Sequence, residues 1–139
     1  MANANRKAIY TGEDNLSISH NANIENAIGG SAADTITGNS LDNAIEGRGG
    51  NDTLNGGIGD DALTGDGGDD TIDGGVGTDT GILTGSSDQY NIDYTNYDKS
   101  TKTGTIVVTD SQSGRDGTDT FQNVEFLKFS AGEASTRGA

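Results

Sequence analysis

From Gly47 to Asp73 the chain reads GRGGNDTLN, GGIGDDALT and GDGGDDTID, three nine-residue units laid end to end. The same frame fits GGSAADTIT and GNSLDNAIE before them, from Gly29, and GGVGTDTGI after them, from Gly74. The first position is Gly29, Gly38, Gly47, Gly56, Gly65 and Gly74. Position four reads Ala32, Leu41, Gly50, Gly59, Gly68 and Gly77, and position six reads Asp34, Asn43, Asp52, Asp61, Asp70 and Asp79. Position eight reads Ile36, Ile45, Leu54, Leu63, Ile72 and then Gly81. Glycine, acid and aliphatic residues therefore hold one phase, and a fixed short period is the signature of a solenoid.

A unit of this length suits half a coil, in which a glycine-rich turn leads into a short strand. In the strand, the eighth side chain points inward and its neighbours point out. Two units close one coil, so parallel strands stack about 4.8 Å apart. The predicted fold is all-β: a parallel β-roll, a right-handed two-sheet solenoid, with a C-terminal β cap. Gly81 stands where an aliphatic residue is expected and is read as the end of the roll.

The turns also have the composition of a hard-cation site. Glycine permits positive φ and lets carbonyls approach a common point. Ca²⁺ takes six to eight oxygens, mixing carboxylates with carbonyls. A glycine/aspartate turn stacked on its own copy offers both kinds.

The units resemble the G-G-x-G-x-D-x-U-x repeat of RTX (hemolysin-type) proteins. NIENAIGGSAADTITGN, from Asn23 to Asn39, is similar to the start of the roll in serralysin-type secreted metalloproteases. GTDTFQNVEFLKFSAG, from Gly117 to Gly132, resembles the segment that closes such rolls in large secreted RTX proteins. The resemblance implies that each ion sits between alternate units and takes both sixth-position carboxylates. One column is then Asp34, Asp52 and Asp70, and the other Asn43, Asp61 and Asp79. Up to four Ca²⁺ sites follow, with carbonyls from the turns at Gly47, Gly50, Gly56, Gly59, Gly65, Gly68, Gly74 and Gly77. The Asn43/Asp61 pair lacks one charge. The resemblance also implies type I secretion, folding in extracellular calcium, and a parent catalytic domain of the serralysin kind outside this sequence.

Composition sets the bounds. Twenty-two acids against 8 Lys and Arg give a net charge of -14, which opposes nucleic acid and anionic membranes and favours cations. Only 29% of residues are hydrophobic, so the units have little apolar surface to bury without metal. No Cys is present, which excludes disulfides and thiolate metal sites. No apolar run of signal-peptide or membrane-spanning length follows Arg6 and Lys7. The ending EASTRGA lacks the acidic-then-apolar close of serralysins.

The flanks divide into a lead-in segment (1–28), the roll (29–82), a β-strand cap (83–132) and a disordered tail (133–139). Ile9, Leu16, Ile18 and Ile24 in the lead-in are spaced for an irregular first coil. QYNIDYTN, Gln89 to Asn96, alternates like a strand with Tyr90, Ile92 and Tyr94 on one face. GTIVVTDS, from Gly104, reads as its hairpin partner, and Phe121 to Phe129 as a last apolar strand. His20 is the sole histidine and no His-Glu-x-x-His motif occurs, so a zinc-protease centre of that type is excluded. Asp60 and Asp69 are read as solvated turn residues rather than catalytic acids, since no sugar cleft is evident. The expected function is that of a non-enzymatic calcium-binding module. The alternative is an adhesin or polysaccharide-binding module whose contact surface is Tyr90, Tyr94 and Tyr97.

Overall fold

A computed structural model describes residues 7–9, 15–17, 26–112 and 115–129. Expectations for Ile18, His20, Ile24 and the 133–139 tail lie outside these residues. Strands alternate between two sheets. The first contains β1 (Lys7–Ile9), β3 (Asn26–Ile28), β5 (Ala44–Arg48), β7 (Ala62–Asp66), β9 (Thr80–Leu83) and β13 (Phe126–Phe129), in that order and all parallel. The second runs β10 (Tyr90–Asp98), β11 (Thr103–Asp110), β12 (Thr118–Gln122), β8 (Thr71–Asp73), β6 (Thr53–Asn55), β4 (Thr35–Thr37) and β2 (Asn15–Ser17). Only the β10–β11 and β11–β12 pairs are antiparallel. The all-β parallel roll expected from the repeat is thus present.

The period explains the core. In β4, β6 and β8 the eighth-position residue is the buried centre of a three-residue strand whose neighbours stay open to solvent. Register then stacks Ile36 on Leu54 on Ile72, and Ala27 on Ile45 on Leu63 in the other sheet. All six are at most 1% exposed. β1 and β2 pair in parallel with β3 and β4, so each sheet carries one more strand before the repeats.

The roll does not stop at Gly81. After β9 the chain leaves as the β10–β11 hairpin and then returns. β12 pairs in parallel with β8, setting Phe121 beside Ile72, and β13 pairs with β9, setting Leu127 beside Gly81. The Gly81 vacancy has a physical reason. A Cβ there would stand 2.5 Å from Phe121 Cε1 and 3.2 Å from Leu127 Cδ2, so the returning coil fills the space itself.

The hairpin is held inward. Tyr90, Ile92, Tyr94 and Tyr97 pack against the core, and the Tyr90 ring lies 5.5 Å from Phe129. A buried polar clamp fixes its base. Thr84 donates through N–H (3.0 Å) and Oγ1 (2.8 Å) to Asp116, which also accepts from the Tyr90 hydroxyl. Arg115 binds Asp110 through Nε and Nη2, both at 2.6 Å. That guanidinium holds the Asp110 carboxyl down at about 2. Among the described residues no helix is long and apolar enough to cross a membrane.

Candidate metal centre

The sixth-position carboxylates form two hydrogen-bonded ladders along the roll. Asp34 N–H donates to Asp52 Oδ1 (2.8 Å), and Asp52 N–H donates to Asp70 Oδ1 (2.7 Å). On the other side Asn43 N–H donates to Asp61 Oδ1 (2.7 Å), and Asp61 N–H to Asp79 Oδ1 (2.9 Å). These are the two columns expected from the sequence. Each carboxylate is at most 2% exposed.

One oxygen of each acid is thereby used. The other, Oδ2 of Asp52, Asp61, Asp70 and Asp79, is buried and has no hydrogen-bond partner among the described residues. An unsatisfied buried polar atom costs about 1–3 kcal/mol, and more when it is charged. Four such atoms in two straight columns are therefore a built feature that calls for a cation.

The glycines explain how the oxygens reach one point. The position where a Gly56 Cβ would stand is 2.3 Å from Asp61 Oδ2 and 2.7 Å from the Gly74 carbonyl oxygen. First-position glycine is thus a steric requirement: a methyl group would fill the cradle. Gly47 and Gly65 also face the open oxygen of their own turn, Asp52 Oδ2 at 2.4 Å and Asp70 Oδ2 at 2.1 Å. Fourth-position glycine has a different role. Gly50, Gly59, Gly68 and Gly77 all have positive φ, and the Gly50 and Gly59 carbonyl oxygens lie 2.0 and 2.1 Å from where a Gly68 or Gly77 Cβ would stand. Two carboxylates with glycine carbonyls between them are a hard-cation donor set. No three of His, Cys, Asp and Glu converge among the described residues, so carbonyls must supply part of any coordination.

The first two units differ from the rest. Asp34 Oδ2 accepts Gly30 N–H at 2.7 Å, and Asn43 Oδ1 accepts Asn39 N–H at 3.0 Å. Asp34 and Asn43, expected as ligands, therefore have that oxygen on the backbone of their own turn. The open units have positive φ at position two, at Arg48, Gly57, Asp66 and Gly75, and the closed units do not.

Two features escaped the sequence reading. Asp60 and Asp69 are exposed as expected, but they are hydrogen-bonded turn residues. Asp60 Oδ1 accepts Thr78 N–H and Asp69 Oδ1 accepts Thr118 N–H, both at 2.9 Å. This fifth-position ladder runs opposite in sense to the sixth-position one. The second feature is Asp119, 1% exposed, whose Oδ1 accepts Asp70 N–H at 2.9 Å across a separation of 49 residues. The signal for it was present: GRDGTDTFQ, beginning at Gly114, satisfies the unit pattern with Gly117 fourth, Asp119 sixth and Phe121 eighth.

Burial pushes the carboxyls up from 3.8, to about 6 for Asp52 and Asp61 and about 7 for Asp79. Asp70 is raised too, by burial first and then by Asp52. A raised folded-state pKa favours the fold below the unfolded value, and that contribution is lost as pH rises through the folded one. In chelator, β structure measured by circular dichroism is expected to be greater at pH 5 than at pH 8, with the loss centred near 6–7. A calcium-free protein equally folded at both values contradicts the buried-carboxylate columns.

A family model described as the RTX calcium-binding nonapeptide repeat (4 copies) matches the chain over residues 21–54, 28–63 and 46–80. No curated protein matches it.

Proposed function

We propose that this chain, whose residues 21–80 are RTX calcium-binding nonapeptide repeats, is a non-enzymatic scaffold module that folds when it takes up calcium outside the cell. The observation that carries this reading is the set of four buried, unpartnered Oδ2 atoms. At Asp61 and Asp79 a carbonyl oxygen, of Gly74 and Asn123, faces the same first-position glycine as the open Oδ2.

Calcium supplies the positive charge that lets opposed carboxylates be buried together. The Asp52/Asp70 and Asp61/Asp79 pairs are the ligands we assign, joined by carbonyls of the turns from Gly47 to Gly50, Gly56 to Gly59, Gly65 to Gly68 and Gly74 to Gly77. The side chains' own part is to fix spacing. Each Oδ1 is anchored on the coil before it, so in the folded roll each Oδ2 is held in one direction. Without cations the columns stack charge in a low-dielectric interior, and the short strands bury one aliphatic residue each. The metal-free chain is therefore loose in a low-calcium cytosol, and extracellular calcium drives folding, since extracellular modules bind the ion with dissociation constants of about 10⁻⁴–10⁻³ M. That behaviour suits type I export of a larger parent such as a serralysin-like protease.

The adhesin reading gains no support from the tyrosines. Tyr90 bonds inward to Asp116, Tyr97 donates to the Val124 carbonyl at 3.2 Å, and both rings pack on the core. We take the hairpin as a cap.

The test is far-UV circular dichroism of chelator-treated protein titrated with calcium. We expect a cooperative gain of β signal complete by millimolar calcium. A fully folded protein in chelator, unmoved by calcium, overturns the proposal.

A further inference from the structure

The columns do not end where the contiguous repeats end. Asp70 Oδ2 and Asp79 Oδ2 are buried and unpartnered, yet no contiguous unit follows to face them. What faces them is the returning segment. Asp119 takes the place above Asp70: its Oδ1 accepts Asp70 N–H at 2.9 Å, as Asp70 Oδ1 accepts Asp52 N–H at 2.7 Å. Gly117 repeats the fourth-position geometry, with φ 76° and the Gly68 carbonyl oxygen 2.2 Å from where its Cβ would stand.

On the other column the turn is shorter. Residues 123–125 do what 74–79 do in the preceding coil, because Asn123 lies against Gly74 while Phe126 already pairs with Thr80. A longer side chain spans the difference, and Glu125 Oε1 accepts Asp79 N–H at 2.7 Å. The position where a Gly74 Cβ would stand is 2.3 Å from the Asn123 carbonyl oxygen and 2.5 Å from Asp79 Oδ2. This is the cradle seen at Gly56, rebuilt from a segment without the repeat.

We propose that the returning segment completes two further calcium sites, Asp70/Asp119 and Asp79/Glu125, and that calcium bound there fastens the β10–β11 hairpin to the roll. The inference rests on the calcium reading of the columns and shifts the sites toward the C-terminal end. The four open oxygens then mark Asp52/Asp70, Asp61/Asp79 and these two, while the Asp34 and Asn43 levels are closed by their own backbone. Closing the excursion between β9 and β12 costs loop entropy that grows with its length. Metal bridging its two ends offsets that cost.

The experiment compares wild type with Asp119→Asn and Glu125→Gln in ion counting by equilibrium dialysis and in near-UV circular dichroism during calcium titration. Three of the four tyrosines lie in the hairpin, so the near-UV signal follows its docking. Both substitutions keep the oxygen that accepts the backbone N–H, and Asn43 already occupies a sixth position in the roll. We expect each variant to bind one ion fewer. Its tyrosine signal should need roughly tenfold or more calcium, a loss that even outer-shell changes at metal sites produce. Wild-type ion count and midpoint in both variants overturn the inference. If Asp61→Asn still loses an ion in that case, the general calcium reading survives. Hydrogen exchange on the wild type gives a check without substitution. Amides of β10 and β11 should gain protection at the calcium concentration that protects β8, and protection of the hairpin in chelator overturns the inference.

Discussion

Asp70→Ala is expected to abolish the gain of β structure that millimolar calcium produces, whereas Asp34→Ala shifts it to higher calcium without abolishing it. Asp70 is the middle carboxylate of its column. Its Oδ1 accepts Asp52 N–H at 2.7 Å, its own N–H donates to Asp119 at 2.9 Å, and its Oδ2 is open. Truncation leaves the buried Asp52 N–H without its acceptor, at about 1–3 kcal/mol. It also removes a ligand from the levels below and above, and each site held at ten times its dissociation constant contributes about 1.4 kcal/mol. The sum, about 4–6 kcal/mol, is comparable to the whole stability of a small domain. Asp34 stands at the closed end, where the oxygen that faces a cation elsewhere is on Gly30 N–H. Asp70→Asn separates the contributions, because it keeps the acceptor and removes only the charge. Calcium midpoints by far-UV circular dichroism rank the three variants. Equal midpoints for Asp34→Ala and Asp70→Ala would sink the assignment of open and closed levels.

The parts of this molecule that were legible in the sequence are those that repeat locally. Ile36, Leu54 and Ile72 could be placed in one inward row, and Asp52 and Asp70 in one column, because stacking follows directly from a constant spacing. The return of the chain broke that rule. Gly114 lies outside the lattice of the other first-position glycines, so a unit that satisfies the pattern was read as part of a cap. Glu125 was hidden further, since a shortened turn replaces the sixth-position aspartate with a longer acid three residues after Gln122. The closure of the Asp34 and Asn43 levels was not legible for another reason. It depends on φ at position two, where residue type does not sort the levels: Arg48 adopts the left-handed region, while Gly30 and Asn39, which tolerate it better, do not. Backbone conformation at one residue thus decides whether a carboxylate oxygen faces a peptide N–H or stays open for metal.

Restoring the repeat consensus at Gly81 should damage the protein. Gly81→Ile puts the expected aliphatic residue at position eight, and in an isolated strand it would gain β propensity over glycine. In this fold the space belongs to the returning coil, with Phe121 Cε1 2.5 Å and Cδ1 2.9 Å from the new Cβ before the rest of the side chain is added. Phe121 is 1% exposed and paired to Ile72, so it has no room to swing aside. Overpacking a filled core costs about 1–3 kcal/mol and occasionally more, and the top of that range is expected here because the strain falls between two sheets that must both stay in register. Phe121→Ala alone leaves a cavity at about 3–5 kcal/mol. Together the substitutions should destabilise less than their sum, with a coupling of about 0.5–3 kcal/mol, because the isoleucine enters the volume that the phenylalanine vacates. Urea unfolding of the four proteins of this cycle in saturating calcium measures it. Strict additivity would mean that Gly81 and Phe121 do not share one space and that glycine at this position marks the end of the roll after all.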